Sequence, residues 1–316
     1  MVIAGPNLTI DRTIALGELR PGEVLRADRV VVSPGGKGVN VARVARELGC
    51  PAVLVGFVPG RTGAAAAAML DDEGLALRAI EVAGELRSAA VILERGGRVT
   101  VLNEPGPELR AGDWGRYEAA MADALDSHRV LACSGSLPPG APEDAYGRLA
   151  ALARGRGAAS VVDVAGAHLG AALAASPDVV TPNLAEAEGL LHGRADETVS
   201  AGAADVVRER ALAAARELVE RGARRAVVTA AEAGAAVAGP DGEAWMDAPA
   251  VDVVRNPVGA GDALVGGLAI ALERGEPFAD ALAHGMATAA ASVETDVAGL
   301  VHAARVAALR RPASAA

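Results

Sequence analysis

From about residue 38 onward, short β-branched runs alternate with stretches of helical periodicity, and turn residues punctuate the changes. This alternation narrows the fold more than any other property of the chain. A strand that passes through a helix to reach the next strand has to cross over, so the strands lie parallel and the helices cover both faces of the sheet. Strands are expected at 52–57, 130–134, 160–164, 179–181 and 226–230, and helices at 39–48, 113–127, 142–154 and 203–220. The implied class is α/β, with residues 1–316 forming one large domain. Loops after the strands gather at one edge, where open sheets of this kind bind ligands.

Two segments break the rhythm. Residues 24–33 and 89–103 read as extended, and Arg95-Gly96-Gly97-Arg98 fits a tight hairpin turn. Together they predict a small antiparallel sheet, with lid segments at about 13–33 and 87–104. So small a sheet is marginal alone, which assigns it to covering the sheet edge, to a homodimer contact, or to both.

Composition removes several classes of function. Aromatic residues make up 2% of the chain, leaving no array of rings on which nucleic-acid bases could stack, and the net charge is -10. Neither nucleic acid nor an anionic membrane surface is an expected partner. The N-terminal residues lack a basic segment followed by a long apolar one, and the Ala-rich run at 64–70 is too short to span a bilayer, so a soluble cytoplasmic protein is expected. Cys50 and Cys133 have no C-x-x-C spacing, and the five histidines are scattered without metal-ligand spacing.

The chemistry concentrates at two glycine-rich helix entrances. Asn256-Pro257-Val258-Gly259-Ala260-Gly261-Asp262 follows a β-branched run at 251–254 and precedes an apolar helical run from Ala263. It reads as a strand, a turn and a helix N-terminus. Its backbone N–H groups can form a concave anion site reinforced by the helix dipole. A carboxylate beside such a nest repels a bound anion, but it has a purpose if Asp262 takes the proton from a hydroxyl that attacks a phosphate. The plainer reading is a turn followed by an Asp helix cap. The second entrance, Ser33-Pro34-Gly35-Gly36-Lys37-Gly38-Val39-Asn40, offers Lys37 and Asn40 to a phosphorylated or polyhydroxy ligand. It lacks the hydroxyl residue after lysine that a P-loop needs and does not match a dinucleotide fingerprint.

These two stretches, at opposite ends of the chain, resemble the paired signatures of the ribokinase-like PfkB carbohydrate kinases, and more narrowly the 1-phosphofructokinase and tagatose-6-phosphate kinase branch. Other stretches fall in the family's order. Asn7-Leu8-Thr9-Ile10-Asp11 is similar to a motif whose aspartate binds sugar hydroxyls, and Arg87 matches an arginine that holds the acceptor's phosphate. Ser136 lies in a loop, Ser134-Gly135-Ser136, that resembles one beside the substrate, and Asn183-Leu184-Ala185-Glu186 matches the N-x-x-E motif that arranges magnesium and nucleotide phosphates through water.

The resemblance implies a ribokinase-like three-layer sandwich with a mainly parallel central sheet and a small antiparallel β lid. It implies an ATP- and Mg2+-dependent kinase of a ketohexose monophosphate, with fructose 1-phosphate as the first choice of acceptor. Tagatose 6-phosphate, fructose 6-phosphate, an unphosphorylated sugar or nucleoside, and a catalytically weak sugar-phosphate binding protein stand as alternatives. Asp262 would be the base, with Gly259, Ala260 and Gly261 as the anion hole. Asp11, Gly35, Gly36, Lys37, Asn40, Arg87 and Ser136 would bind the acceptor, with Lys37 and Arg87 on its phosphate. Asn183, Thr229, Gly234, Gly259 and Gly261 would bind the nucleotide, and Glu186 with Asn183 would serve the metal. Four positions depart from the family pattern: Pro257 stands in place of threonine, Ala231 of a nucleotide-loop glycine, Thr181 of lysine and Val101 of a second arginine.

Overall fold

The alternation closes into a sheet of nine strands with helices packed on each face. The computed structural model describes residues 1–193 and 204–310. In chain order its elements begin β1 (Val2–Ala4), β2 (Thr9–Leu16), β3 (Arg29–Gly35), α1 (Lys37–Glu47), β4 (Val53–Phe57), α2 (Gly60–Asp72), β5 (Leu77–Ile80), β6 (Arg87–Glu94), β7 (Val99–Asn103) and α3 (Asp113–Leu125). They continue with β8 (Val130–Ser134), α4 (Ala145–Gly155), β9 (Ala159–Asp163), α5 (Gly166–Leu173), β10 (Val179–Val180), α6 (Leu184–His192), α7 (Ala204–Glu220) and β11 (Ala226–Thr229). The last are β12 (Gly234–Gly239), β13 (Gly242–Asp247), α8 (Ala260–Glu273), α9 (Phe278–Ser292) and α10 (Ala303–Leu309). The expected helix at 203–220 is described from Ala204, residue 203 lying outside the described residues.

The main sheet runs β13-β12-β11-β10-β9-β8-β1-β4-β5 and is parallel from β11 to β5. A β12–β13 hairpin extends it antiparallel at one edge. Because the parallel strands are covered twice, their side chains feed two cores by turns: Leu131 and Cys133 face one, Val130 and Ala132 the other. The chain reverses its direction of travel across the sheet between β1 and β8. The carboxyl ends of strands at such a switch point leave an open crevice; here Asn7 follows β1 and Ser134 ends β8, with Asp163 at the end of the adjoining β9.

The lid is a separate sheet of four strands ordered β3-β2-β6-β7. Its outer pairs are antiparallel as expected, but the central β2–β6 pair is parallel. The reason is connectivity: α1, β4, α2 and β5 intervene between β3 and β6, so β6 returns by a long crossover and not by a hairpin turn. Two local expectations are corrected. The run at 251–254 is not a strand but an irregular segment that pairs with no strand and leaves Val253 and Val254 exposed, so it buries too little apolar surface to hold an extended pairing. The following helix begins at Ala260, three residues early, which places Asp262 inside its first turn.

Candidate active site

The ends of three parallel strands and the starts of three helices converge on a cavity of about 200 Å³ lined by Lys37, Asp163, Thr181, Asn183, Glu186, Thr229, Gly259, Gly261 and Asp262. Asp262, on α8, is 5% exposed. Its Oδ2 accepts from Asn40 Nδ2 at 2.8 Å, and Ser134 Oγ lies 3.3 Å from its Oδ1 and 3.3 Å from Asp163 Oδ2. A hydroxyl has one proton, so Ser134 serves these carboxylates one at a time. Lys37 Nζ donates to Asp163 Oδ2 at 3.0 Å, and Thr181 Oγ1 donates to Asp163 Oδ1 at 3.1 Å.

Burial pushes the Asp262 carboxyl up to about 7. Lys37 opposes the shift, Asp163 adds to it, and the hydrogen bonds from Asn40 and Ser134 oppose it. Burial works against the Lys37 ammonium too, but Asp163 and Asp262, with Glu186 behind them, outweigh it and hold the lysine charged above its ordinary range. The arrangement is a fixed cation beside a carboxylate poised to gain or lose a proton near neutrality, which suits a general base.

The α8 entrance supplies the electrophilic side. Gly259 caps the helix at φ 86°, a left-handed conformation, and a Cβ there would meet Ala298 Cβ at 3.0 Å. The Ala260 N–H turns back to Pro257 O at 3.3 Å, whereas among the described residues the N–H groups of Gly259, Gly261 and Asp262 have no backbone acceptor. Of the three amides expected to form an anion hole, those of Gly259 and Gly261 are thus free of backbone acceptors, that of Ala260 is not, and the Asp262 amide is free as well.

Asn183 and Glu186 form a reciprocal cap on α6: Asn183 Oδ1 accepts from Glu186 N at 2.8 Å, and Glu186 Oε2 accepts from Asn183 N at 3.0 Å. Glu186 lines the cavity, and the cap uses one of its two carboxylate oxygens. Among the described residues no group of three His, Cys, Asp or Glu is placed to hold a metal. One carboxylate and one amide oxygen are nevertheless the hard, sparse donor set that suits magnesium, which keeps most of its water.

Arg87 and Ser136 line a different cavity, of about 580 Å³, together with Asn7, Asn103, Glu104, His168 and the loop from Leu137 to Glu143. Arg87 donates from Nε and Nη2 to Asn7 O at 3.2 and 3.0 Å, and from Nη1 to Glu104 O at 3.5 Å. Asn7 Nδ2 donates to Ser136 Oγ at 2.9 Å. Burial lowers the Arg87 pKa, while Asp11 and Glu104 work to raise it. Lys37 and Arg87, expected to share one phosphate, thus line separate cavities.

Asp11 follows β1 of the main sheet and sits within lid strand β2, opposite Ser33 and Ala89. Burial raises its pKa against Arg87, Arg43 and a hydrogen bond involving Thr9. Gly35 is glycine because a Cβ there would lie 2.0 Å from Asp11 Oδ2, and Gly36 turns the chain into α1 at φ 104°. Gly234 lines neither cavity. At φ 132°, with Met246 O 2.2 Å from the place of a Cβ, it is required by the β12–β13 pairing. Sequence reasoning missed Asp163, and within Ser134-Gly135-Ser136 it assigned a role to Ser136 alone. The signal was a polar residue ending a β-branched run, Val161-Val162-Asp163, at the ligand-binding edge of a parallel sheet.

A buried carboxylate, a paired lysine and free helix-start amides share this crevice, and the fold around them is ribokinase-like. Escherichia coli phosphofructokinase-2 in complex with potassium superposes with a TM-score of 0.86 at 26% identity, covering 98% of this chain and 97% of that one. A family model described as pfkB family carbohydrate kinase matches residues 7–301. The 1-phosphofructokinase of Haloferax volcanii is 37% identical over 90% of this chain and 88% of its own, and that of Xanthomonas campestris is 33% identical over 84% and 82%. The chain belongs to the pfkB family of carbohydrate kinases and is a phosphotransferase acting on a sugar hydroxyl.

Proposed function

We propose that the chain transfers the γ-phosphoryl group of ATP to the free hydroxymethyl group of fructose 1-phosphate, giving fructose 1,6-bisphosphate and ADP. The observation that carries the proposal is the buried Asp262 carboxylate, raised to about 7 beside unpaired helix-start amides. Asp262 accepts the hydroxyl proton as the sugar oxygen bonds to phosphorus and the bond to the departing ADP oxygen breaks. The Gly259, Gly261 and Asp262 amides take the charge of the transferring group, and Lys37, anchored by Asp163, offsets more of it. Thr229, beside Gly259 in the cavity wall, faces the nucleotide. Glu186, with Asn183 through water, would hold Mg2+, which neutralises nucleotide phosphate charge when bound.

Arg87 grips the acceptor's existing phosphate, exchanging its carbonyl partners for phosphate oxygens, while Asp11, Asn40 and Ser136 fix the sugar. The choice of fructose 1-phosphate is supported by the two curated relatives bearing that name. Fructose 6-phosphate is the second reading, because E. coli phosphofructokinase-2, at 26% identity, has been solved in complex with it. Exposed valines on β3 (Val30, Val31, Val32) and apolar residues on β7 (Val99, Val101, Leu102) support a homodimer through the lid.

A coupled ADP-release assay across fructose 1-phosphate, fructose 6-phosphate, tagatose 6-phosphate, fructose, ribose and a nucleoside tests the proposal. The highest kcat/KM belongs to fructose 1-phosphate. A higher value for an unphosphorylated acceptor would reassign the substrate, and ligand-induced stabilisation without ADP release would replace the kinase by a binding protein.

A further inference from the structure

Arg43 lies on α1 one turn beyond Asn40, is 7% exposed, and lines neither cavity. Four donations hold it. Nε and Nη2 form a fork to Glu73 Oε2 and Oε1, both at 2.7 Å; Nη2 also reaches Pro34 O at 2.9 Å; and Nη1 points at Asn40 Oδ1 at 3.4 Å. Glu73 ends α2, and Pro34 lies at the root of the lid strand β3. The guanidinium therefore joins α1, α2 and the lid at a point one side chain removed from Asp262.

An Asn amide can present either its oxygen or its NH2 to a neighbour, and the network around it decides which. Asn40 stands between Arg43 and Asp262. Arginine has no acceptor, so only the amide oxygen can face it. The NH2 then has to face Asp262, whatever the protonation state of that carboxyl. Without the arginine the amide would be free to turn. A protonated Asp262 could then donate its O–H to the Asn40 oxygen, an arrangement that stabilises the acid form. With the arginine in place that option is closed.

We propose that Arg43 is a positioning residue that locks the Asn40 amide with its NH2 towards Asp262, keeping the carboxylate ready as a base. The proposal rests on the reading of Asp262 as that base. Asp262 also faces Lys37 on α1, Asp163 at the end of β9 and Ser134 at the end of β8. Arg43 is faced by Glu73 on α2, which also binds Arg46 of α1 through its carbonyl at 2.7 Å, and by Asp11 on β2. None of these other neighbours touches the Asn40 oxygen, so the lock is attributable to Arg43.

The test follows the acid limb of the single-turnover rate against pH in the full chain, with saturating ATP, Mg2+ and fructose 1-phosphate. It also follows the 13C titration of the Asp262 carboxyl in the ligand-free protein, its signal assigned from Asp262→Asn. Arg43→Met moves both midpoints up by about one pH unit, the worth of one hydrogen bond to a charged group. The rate falls about tenfold on the acid side and recovers in alkali. Glu73→Gln, which keeps the arginine but loosens its anchor, moves both midpoints less and in the same direction. Arg43→Lys restores part of the shift, because an ammonium is also a pure donor. A 13C midpoint unmoved in Arg43→Met overturns the proposal. If that variant does not fold, an unmoved midpoint in Glu73→Gln does so. A 13C midpoint that moves while the rate limb stays in place supports the lock and removes Asp262 as the base.

Discussion

The cavity around Asp262 and the cavity around Arg87 are connected by one loop, which sends Ser134 to the first and Ser136 to the second, but they are built differently. In the first, Lys37, Asp163 and Asp262 are all hydrogen-bonded to one another's neighbours and carried by strand ends and helix starts. In the second, which is nearly three times larger at about 580 against 200 Å³, much of the wall is proline-rich loop, and Arg87 comes from a lid strand. Charge chemistry requires groups fixed before the reaction, because reorientation during it costs rate. Acceptor choice can be left to a wall that changes without disturbing the base. If the first cavity carries the transfer and the second the acceptor, as proposed, the division teaches that catalysis and specificity in this chain are separable.

Asp262→Asn puts the greatest strain on that division. It removes the proton acceptor while keeping the size of the side chain and the turn, so kcat falls roughly 10²-fold or more, with KM for ATP and acceptor little changed. Steady-state kinetics of the purified variant check this, and a near wild-type kcat would place the base elsewhere. Arg87→Ala acts on the other cavity. The acceptor's KM rises about tenfold to a hundredfold, the worth of a charged hydrogen bond, while KM for ATP holds. Arg87→Lys rescues poorly, because a point charge cannot reproduce the fork. A loss of ATP affinity instead would merge the two cavities functionally.

The same carboxylate has a cost in stability. The Asp262 pKa is about 7 in the folded chain against an ordinary 3.8, so the folded state holds the extra proton between these values. The favourable contribution is fully present below about pH 4 and is lost as pH rises through about 7. Asp262→Asn is accordingly more thermostable than the parent at pH 8, by a few degrees, and the gain disappears near pH 4. Thermal unfolding at the two pH values checks the sign. The smallest effect belongs to the lid: trimming the Arg95-Gly96-Gly97-Arg98 turn raises ATP hydrolysis relative to sugar phosphorylation by admitting water, measured as ADP formed per sugar phosphate formed.

Much of this was legible in the residues, and the limits have physical causes. The strand at 130–134 was placed correctly because an apolar run bounded by turn residues has few other uses in an α/β chain. The valines at 251–254 carry the same propensity, but they pair with no strand and Val253 and Val254 stay exposed, so propensity yields to context. The parallel β2–β6 pair was invisible because pairing direction follows from the path of the chain and not from local pattern. At the site, Asp262, Asn40, Lys37 and Glu186 stand in motifs, whereas Asp163 ends an ordinary strand and meets Lys37, Thr181 and Ser134 only where the strands come together. Lys37 and Arg87 share one expected role but line two adjacent cavities, because sequence assigns a charge to a motif and not to a cavity.

The most direct test of Asp262 as the base is the single-turnover rate of phosphoryl transfer from pH 5 to 9, with saturating ATP, Mg2+ and fructose 1-phosphate. Only the deprotonated carboxylate can accept the hydroxyl proton, so the rate falls about tenfold per pH unit on the acid side of a midpoint near 7 and levels off in alkali. In Asp262→Asn that limb disappears and a slow, pH-independent residual rate remains. A parent profile flat from pH 5 to 8, or an acid limb that persists unchanged in Asp262→Asn, would contradict the account.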